Sequence, residues 1–229
     1  MLLVDFGGRG QHRFSPYAWR SKIALAHLGL MYETREITFL DKSALAGITD
    51  YSRAPVLITD TDVITDSWNI ALYLHQAYPH PTPLFADAGQ MGYAAFLNEW
   101  VPRVLYPIIL PMIAKDVVTK VLPEEQNHYR TTREAVLGCS LEQAAENREA
   151  LVQDLYAAME PLRATLARTP FLNGDASGYC DYIVGALFLW VCGTSPFQLL
   201  GTDDPMHLWR ARLFERYRDI ITATDGYDW

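Results

Sequence analysis

Three short stretches of the chain put hydroxyl, carboxylate and proline residues where backbone geometry can give them chemistry. At Ser15-Pro16 a helical pattern begins: Trp19, Ile23, Ala26 and Leu30 recur at helical spacing, and Gly29 is placed to end the run. Serine is a favoured N-cap and proline suits the first helical position, where no backbone donor is needed. A helix N-terminus carries partial positive charge and free N–H groups, so it favours an anion. A hydroxyl there can donate to a thiolate and lower the thiol's pKa. At Ala54-Pro55 a proline opens an apolar strand. If that peptide bond is cis, the N–H and C=O of Ala54 face outward and can pair with the backbone of a bound peptide. At Asp66-Ser67 a second helix start offers amides and a hydroxyl to a carboxylate, with Asp66 free to hold an ammonium. Taken singly, each has a plainer explanation: an N-cap, a trans proline on an edge strand, a capping pair.

The elements that must position these residues can be read around them. Leu2–Phe6 is a short apolar strand closed by Gly7-Gly8. Residues 32–38 alternate as a second strand, and residues 39–47 form a short helix or loop. Val56–Ile58 and Val63-Ile64 are strands joined by Thr59-Asp60-Thr61-Asp62, too tight a link for a parallel crossover, so they pair antiparallel. A helix from Asp66 runs to Tyr78, where Pro79 stops it. The order βαβαββα with a mixed sheet predicts an α+β chain with a thioredoxin-like N-terminal domain, residues 1–80. A Pro-rich linker, 81–88, leads to an all-helical domain, 89–229. Long helical patterns there cover 90–114, bent near Pro102, Pro107 and Pro111, then 141–168, 181–192 and 204–222. Residues 181–192 are apolar nearly all round, as in a buried central helix.

Composition narrows the function. Half of the 229 residues are apolar and the net charge is -8, which disfavours nucleic acid and anionic membranes as partners. The apolar runs are too short to span a bilayer, and the start of the chain lacks a signal-peptide pattern. Cys139, Cys180 and Cys192 are odd in number and form no CxxC pair, which argues against a disulfide framework or a zinc knuckle. A cytoplasmic protein without a metal is expected. His27 and His75 have no metal-ligand partner at proper spacing, and Gly7-Gly8-Arg9-Gly10 fails the dinucleotide pattern because Arg13 replaces its third glycine.

Together, Phe14-Ser15-Pro16-Tyr17-Ala18-Trp19-Arg20, Arg53-Ala54-Pro55-Val56-Leu57 and Asp66-Ser67-Trp68 resemble the glutathione transferase superfamily, over the whole chain. Within it, the Ser-Pro-x-x-Trp and Asp-Ser-Trp starts look most like the bacterial lignin β-aryl etherases and the related fungal etherase-like class. The resemblance makes Ser15 the catalytic residue that activates the glutathione sulfur. It makes Ala54, before Pro55, the partner of the cysteinyl backbone, and Asp66 and Ser67 the holders of the γ-glutamyl end. It adds Trp19, Lys42 and Arg53 to the glutathione-binding set. Tyr17, Trp100 and Tyr106 are candidates for an acceptor pocket, with Trp190 and Phe197 as further aromatic possibilities. Two departures from the family stand out: Asp66 where most members have Glu, and Gly178 where a Ser or Thr would cap the helix at Asp181.

The implied activity is nucleophilic substitution, with glutathione as co-substrate attacking a hydrophobic, aromatic electrophile; β-aryl ether cleavage is one form of it. A non-catalytic binder of the same fold is the first alternative. A thiol–disulfide oxidoreductase ranks lower, because Ser15 stands where that chemistry needs cysteine. The resemblance also implies a homodimer, to which Met91, Tyr93, Phe96 and Leu97 would contribute apolar surface.

Overall fold

The computed structural model describes residues 1–227. Strand β1 (Leu2–Phe6) is the hub of a four-stranded sheet of order β2-β1-β3-β4. It pairs parallel with β2 (Glu33–Ile37) and antiparallel with β3 (Val56–Ile58), which pairs antiparallel with β4 (Val63–Thr65). The parallel pair needs a crossover, supplied by α1 (Pro16–His27). The β3–β4 link turns where Thr59 N–H donates to Asp62 C=O at 2.9 Å. The short helix or loop expected at 39–47 is a loop holding a single 3-10 turn, Ser43–Leu45, and Gly47 has φ +72°. Helix α2 (Ser67–Ala77) completes the thioredoxin-like domain.

The rest of the described chain is helical. The pattern at 90–114 resolves into α3 (Ala88–Trp100), a π turn (Val101–Leu105) and α4 (Tyr106–Val118). Pro102 and Pro107 bring no N–H to the helical ladder, which re-registers there as a π turn. Helix α5 (Gln126–Leu137) is polar over most of its length and buries only Tyr129, so no run of apolar residues announces it. The pattern at 141–168 breaks at Asn147 into α6 (Leu141–Glu146) and α7 (Arg148–Leu166). Helix α8 (Tyr179–Cys192) is buried along its whole length and packs on α1. Helices α9 (Pro205–Arg216) and α10 (Arg218–Thr222) follow. Asp228 and Trp229, the last residues of the expected helical domain, lie outside the described residues. Among the described residues no helix is long and apolar enough to cross a membrane.

Gly178 cannot cap α8 with a side chain, so Asp181 works from inside the helix. It is fully buried and accepts from the N–H groups of Leu172 (2.8 Å), Gly178 (3.1 Å) and Asn173 (3.2 Å) and from Trp209 Nε1 (2.7 Å). Burial still pushes its carboxyl up to about 6. Hydrogen bonds at several places tie the two domains together. Tyr179 hydroxyl donates to Ser67 C=O at 2.8 Å, and Arg20 donates to Asn98 Oδ1 at 2.8 Å. His27 on α1 meets the Tyr182 hydroxyl of α8 at 2.5 Å. Glu125, buried just before α5, accepts from the backbone of Phe39 (3.1 Å) and Leu40 (2.8 Å) and from the Thr38 hydroxyl.

Candidate functional site

Ser15 adopts extended backbone (φ -97°, ψ 109°) immediately before α1, with Pro16 at the first helical position. Its Oγ accepts the Ala18 N–H at 3.0 Å. Capping uses an oxygen lone pair and leaves the hydroxyl proton uncommitted, and among the described residues no acceptor takes it. The cap and the proposed chemistry are therefore compatible in one side chain. Ser15 is 8% exposed, so an anion brought to it is largely out of water.

A cleft of about 370 Å³ opens at this helix start. Phe6, Phe14, Phe39, Tyr17 and Tyr106 form aromatic walls around Ser15. Ala54 and Arg53 line it too, and the Ala54-Pro55 bond is cis. Lys42 and Arg133 add positive charge. Lys42 donates to Thr38 C=O and lies 4.8 Å over the Phe6 ring; burial holds its ammonium below the usual range, with the Glu125 carboxylate opposing. Tyr106 is fixed by stacking on Trp190, centroids 4.9 Å apart and planes 6° from parallel. Burial raises its phenol, so it stays protonated.

Asp66 and Ser67 are not among the residues that line this cleft. Asp66 caps α2, accepting Trp68 N–H at 2.8 Å, and holds φ +72°, ψ 139°. That conformation is close to glycine-only, costs on the order of 1–3 kcal/mol in an L-residue and concentrates at functional sites. Burial, and after it the Asp66 charge, push the Tyr51 phenol up, while Arg53 opposes.

Besides Asp66 and Ser67, the expected residues Trp19, Trp100, Trp190 and Phe197 do not line the cleft. Trp19 is 2% exposed in the core, under Lys22 Nζ at 4.6 Å, because α1 is buried on nearly every side. Trp100 packs against the core where α3 passes into the π turn and does not line the cleft. Phe197 packs under Arg148, 4.5 Å from the guanidinium. Trp190 supports the cleft only through Tyr106. Of the apolar residues expected on an outer face, Leu97 is core and Phe96 is 58% exposed. Conversely, Phe6, Phe39, Ser52 and Arg133 line the cleft without a sequence motif that marks them. Phe6, at the end of a strand running toward Ser15, was findable; Arg133, on the unannounced α5, was not.

A larger cavity, about 480 Å³, lies at the far end of α1, lined by Arg13, Lys22, Met31 and Ile220 among others. Its two cations already pair with buried Asp5, Arg13 at 3.4 Å, and no helix N-terminus opens into it. Of the two cavities, the cleft at Ser15 is the one at which a helix begins. Among the described residues no cluster of His, Cys, Asp or Glu could hold a metal ion.

The chain matches the family model of the glutathione S-transferase N-terminal domain over residues 11–82 and that of the C-terminal domain over residues 93–197. It is 25% identical to Glutathione S-transferase U22 of Arabidopsis thaliana over 193 residues, 83% of this chain and 73% of that one. A glutathione S-transferase of Ceriporiopsis subvermispora, solved in complex with glutathione, superposes with TM-score 0.80 at 20% identity, over 95% of this chain and 96% of that one. Glutathione transferase GSTFuA3 of Phanerochaete chrysosporium superposes with TM-score 0.73 at 22% identity, over 100% and 98%.

Proposed function

The chain belongs to the glutathione S-transferase superfamily, and we propose that it transfers glutathione to aromatic electrophiles at the Ser15 cleft. The observation that carries this reading is the uncommitted Ser15 hydroxyl at the start of α1, inside a cleft with aromatic walls and cations. A free thiol ionises near 8.5. One hydrogen bond to the anion contributes roughly 1.5–3 kcal/mol, which lowers that pKa by about 1–2 units before the helix amides are counted.

In this reading Ala54 pairs with the cysteinyl backbone and aims the sulfur at Ser15. Lys42 and Arg53 face the glycyl carboxylate, and Asp66 with Ser67 takes the γ-glutamyl end. Trp19 supports α1 by packing rather than by touching the peptide. The electrophile lies between Tyr17 and Tyr106. The thiolate forms a C–S bond while the leaving group departs with the bonding electrons of the broken bond; for a β-aryl ether that group is an aryloxide. The Ser-Pro-x-x-Trp start and the aromatic walls support ether cleavage as the specific reaction. Pairing of two chains is part of the same proposal, with exposed Phe96 and half-buried Met91 and Tyr93 on the shared face. Light scattering giving twice the 26.0 kDa chain mass supports pairing, and the single mass overturns it.

The test is a panel assay of purified protein with glutathione against chlorodinitrobenzene, β-aryl ether dimers and hydroperoxides. Turnover above the uncatalysed rate with the first two supports the reading. Saturable glutathione binding with no turnover on any electrophile would leave a binding protein instead.

A further inference from the structure

Arg133, on α5 of the helical domain, lines the cleft together with Tyr106. Its guanidinium lies 5.2 Å from the Tyr129 ring centre and 5.7 Å from that of Phe39, stacked against two aromatic faces. Among the described residues it forms no ion pair with a carboxylate. Its neighbour Arg130, one turn earlier, pairs with both Glu134 and Glu142. The cleft holds three cations, Lys42, Arg53 and Arg133, and no Asp or Glu lines it, in a chain of net charge -8. A concentration of one sign of charge against the overall balance marks a binding function.

Lys42 and Arg53 stand on the thioredoxin-like side with Ala54, and suffice for one glycyl carboxylate. Arg133 comes from the helical domain, as does Tyr106. We propose that the acceptor substrate is an aromatic electrophile carrying its own carboxylate, and that Arg133 is the specificity-determining residue that grips it. This rests on the glutathione transfer proposed above. A guanidinium offers a planar fork matched to carboxylate geometry, and Tyr129 and Phe39 hold that fork in place. Tyr106, rigid on Trp190, supplies the flat wall for the ring.

A matched pair of reagents tests this: a chlorodinitrobenzoate and its methyl ester. Glutathione sulfur forms a C–S bond to the same ring carbon in both, chloride leaves with its electron pair, and the thiol proton passes to buffer. The full chain is expected to show a KM for the acid roughly tenfold below that for the ester, the effect of one charge-assisted hydrogen-bonded pair. Arg133→Met should abolish that preference, bringing the acid's KM to that of the ester. Arg133→Lys, which keeps charge but loses the fork, should retain part of it. A merely structural Arg133 would move acid and ester alike, and that result overturns the proposal. So does a wild-type chain that treats acid and ester equally, which is readable even if Arg133→Met fails to fold. Calorimetry of acid and ester without turnover separates the two claims. If glutathione does not bind, the transferase reading falls, while the acid-over-ester affinity still decides the role of Arg133.

Discussion

Replacing Ser15 removes two things at once, and they can be separated. The Oγ accepts the Ala18 N–H at 3.0 Å, so Ser15→Ala should cost about 1 kcal/mol of stability as a lost N-cap. Ser15→Gly should cost only a few tenths, because glycine is tolerated as an N-cap. Both lose the hydroxyl that donates to sulfur. Removing a hydrogen bond of roughly 1.5–3 kcal/mol to the thiolate should raise the pKa of bound glutathione by about 1–2 units in each variant. The assay is the thiolate absorbance of bound glutathione titrated against pH, with the single-turnover rate measured in parallel. At pH values below the wild-type midpoint the rate should fall about tenfold or more. Above the variants' midpoint both proteins carry thiolate and the rates should converge, since a more basic thiolate is also a better nucleophile. If the midpoint moves in Ser15→Ala but not in Ser15→Gly, loss of the cap is responsible. If it moves in neither, Ser15 is only a cap.

Asp66→Gly should leave stability unchanged or higher, because glycine accepts φ +72° freely, yet weaken glutathione roughly tenfold; urea denaturation and calorimetry check both, and unchanged affinity removes the γ-glutamyl assignment. His27 is buried between Tyr182 and Thr82, and burial lowers its pKa from 6.5. Its folded pKa lies below the unfolded one, so the unfolded chain takes up the proton first and stability falls as pH drops through 6.5. That fall, measured by denaturant melts at stepped pH, should be smaller in His27→Asn. Glu125→Ala should cost on the order of 3 kcal/mol by orphaning the donors of Thr38, Phe39 and Leu40, and should raise KM by loosening Phe39 and Lys42 in the cleft. A destabilised protein with unchanged KM would confine Glu125 to folding.

The thioredoxin-like half was legible because its signals are local. Ser15-Pro16 starts α1, Gly29 at φ +66° follows its end, and the Thr59–Asp62 turn sets the hairpin. What failed to show in the sequence depends on partners far along the chain. Helix α5 is mostly polar and is held through Tyr129 and the adjoining Glu125, so no apolar run marks it, and nothing in the sequence ties Arg133 to the cleft. Trp19 lies one turn beyond Ser15, but ten of the twelve residues of α1 are buried, so spacing could not say which face meets the cleft. Trp100 sits where the helix changes its hydrogen-bond register, and past that point helical spacing no longer assigns directions.

The most direct test of the central claim is a crystal structure of the protein with glutathione. The sulfur is expected within hydrogen-bonding distance of Ser15 Oγ, with the cysteinyl backbone on Ala54 and the γ-glutamyl end at Asp66. Glutathione seated in the Arg13–Lys22 cavity, or in the cleft with its sulfur turned away from Ser15, would contradict it.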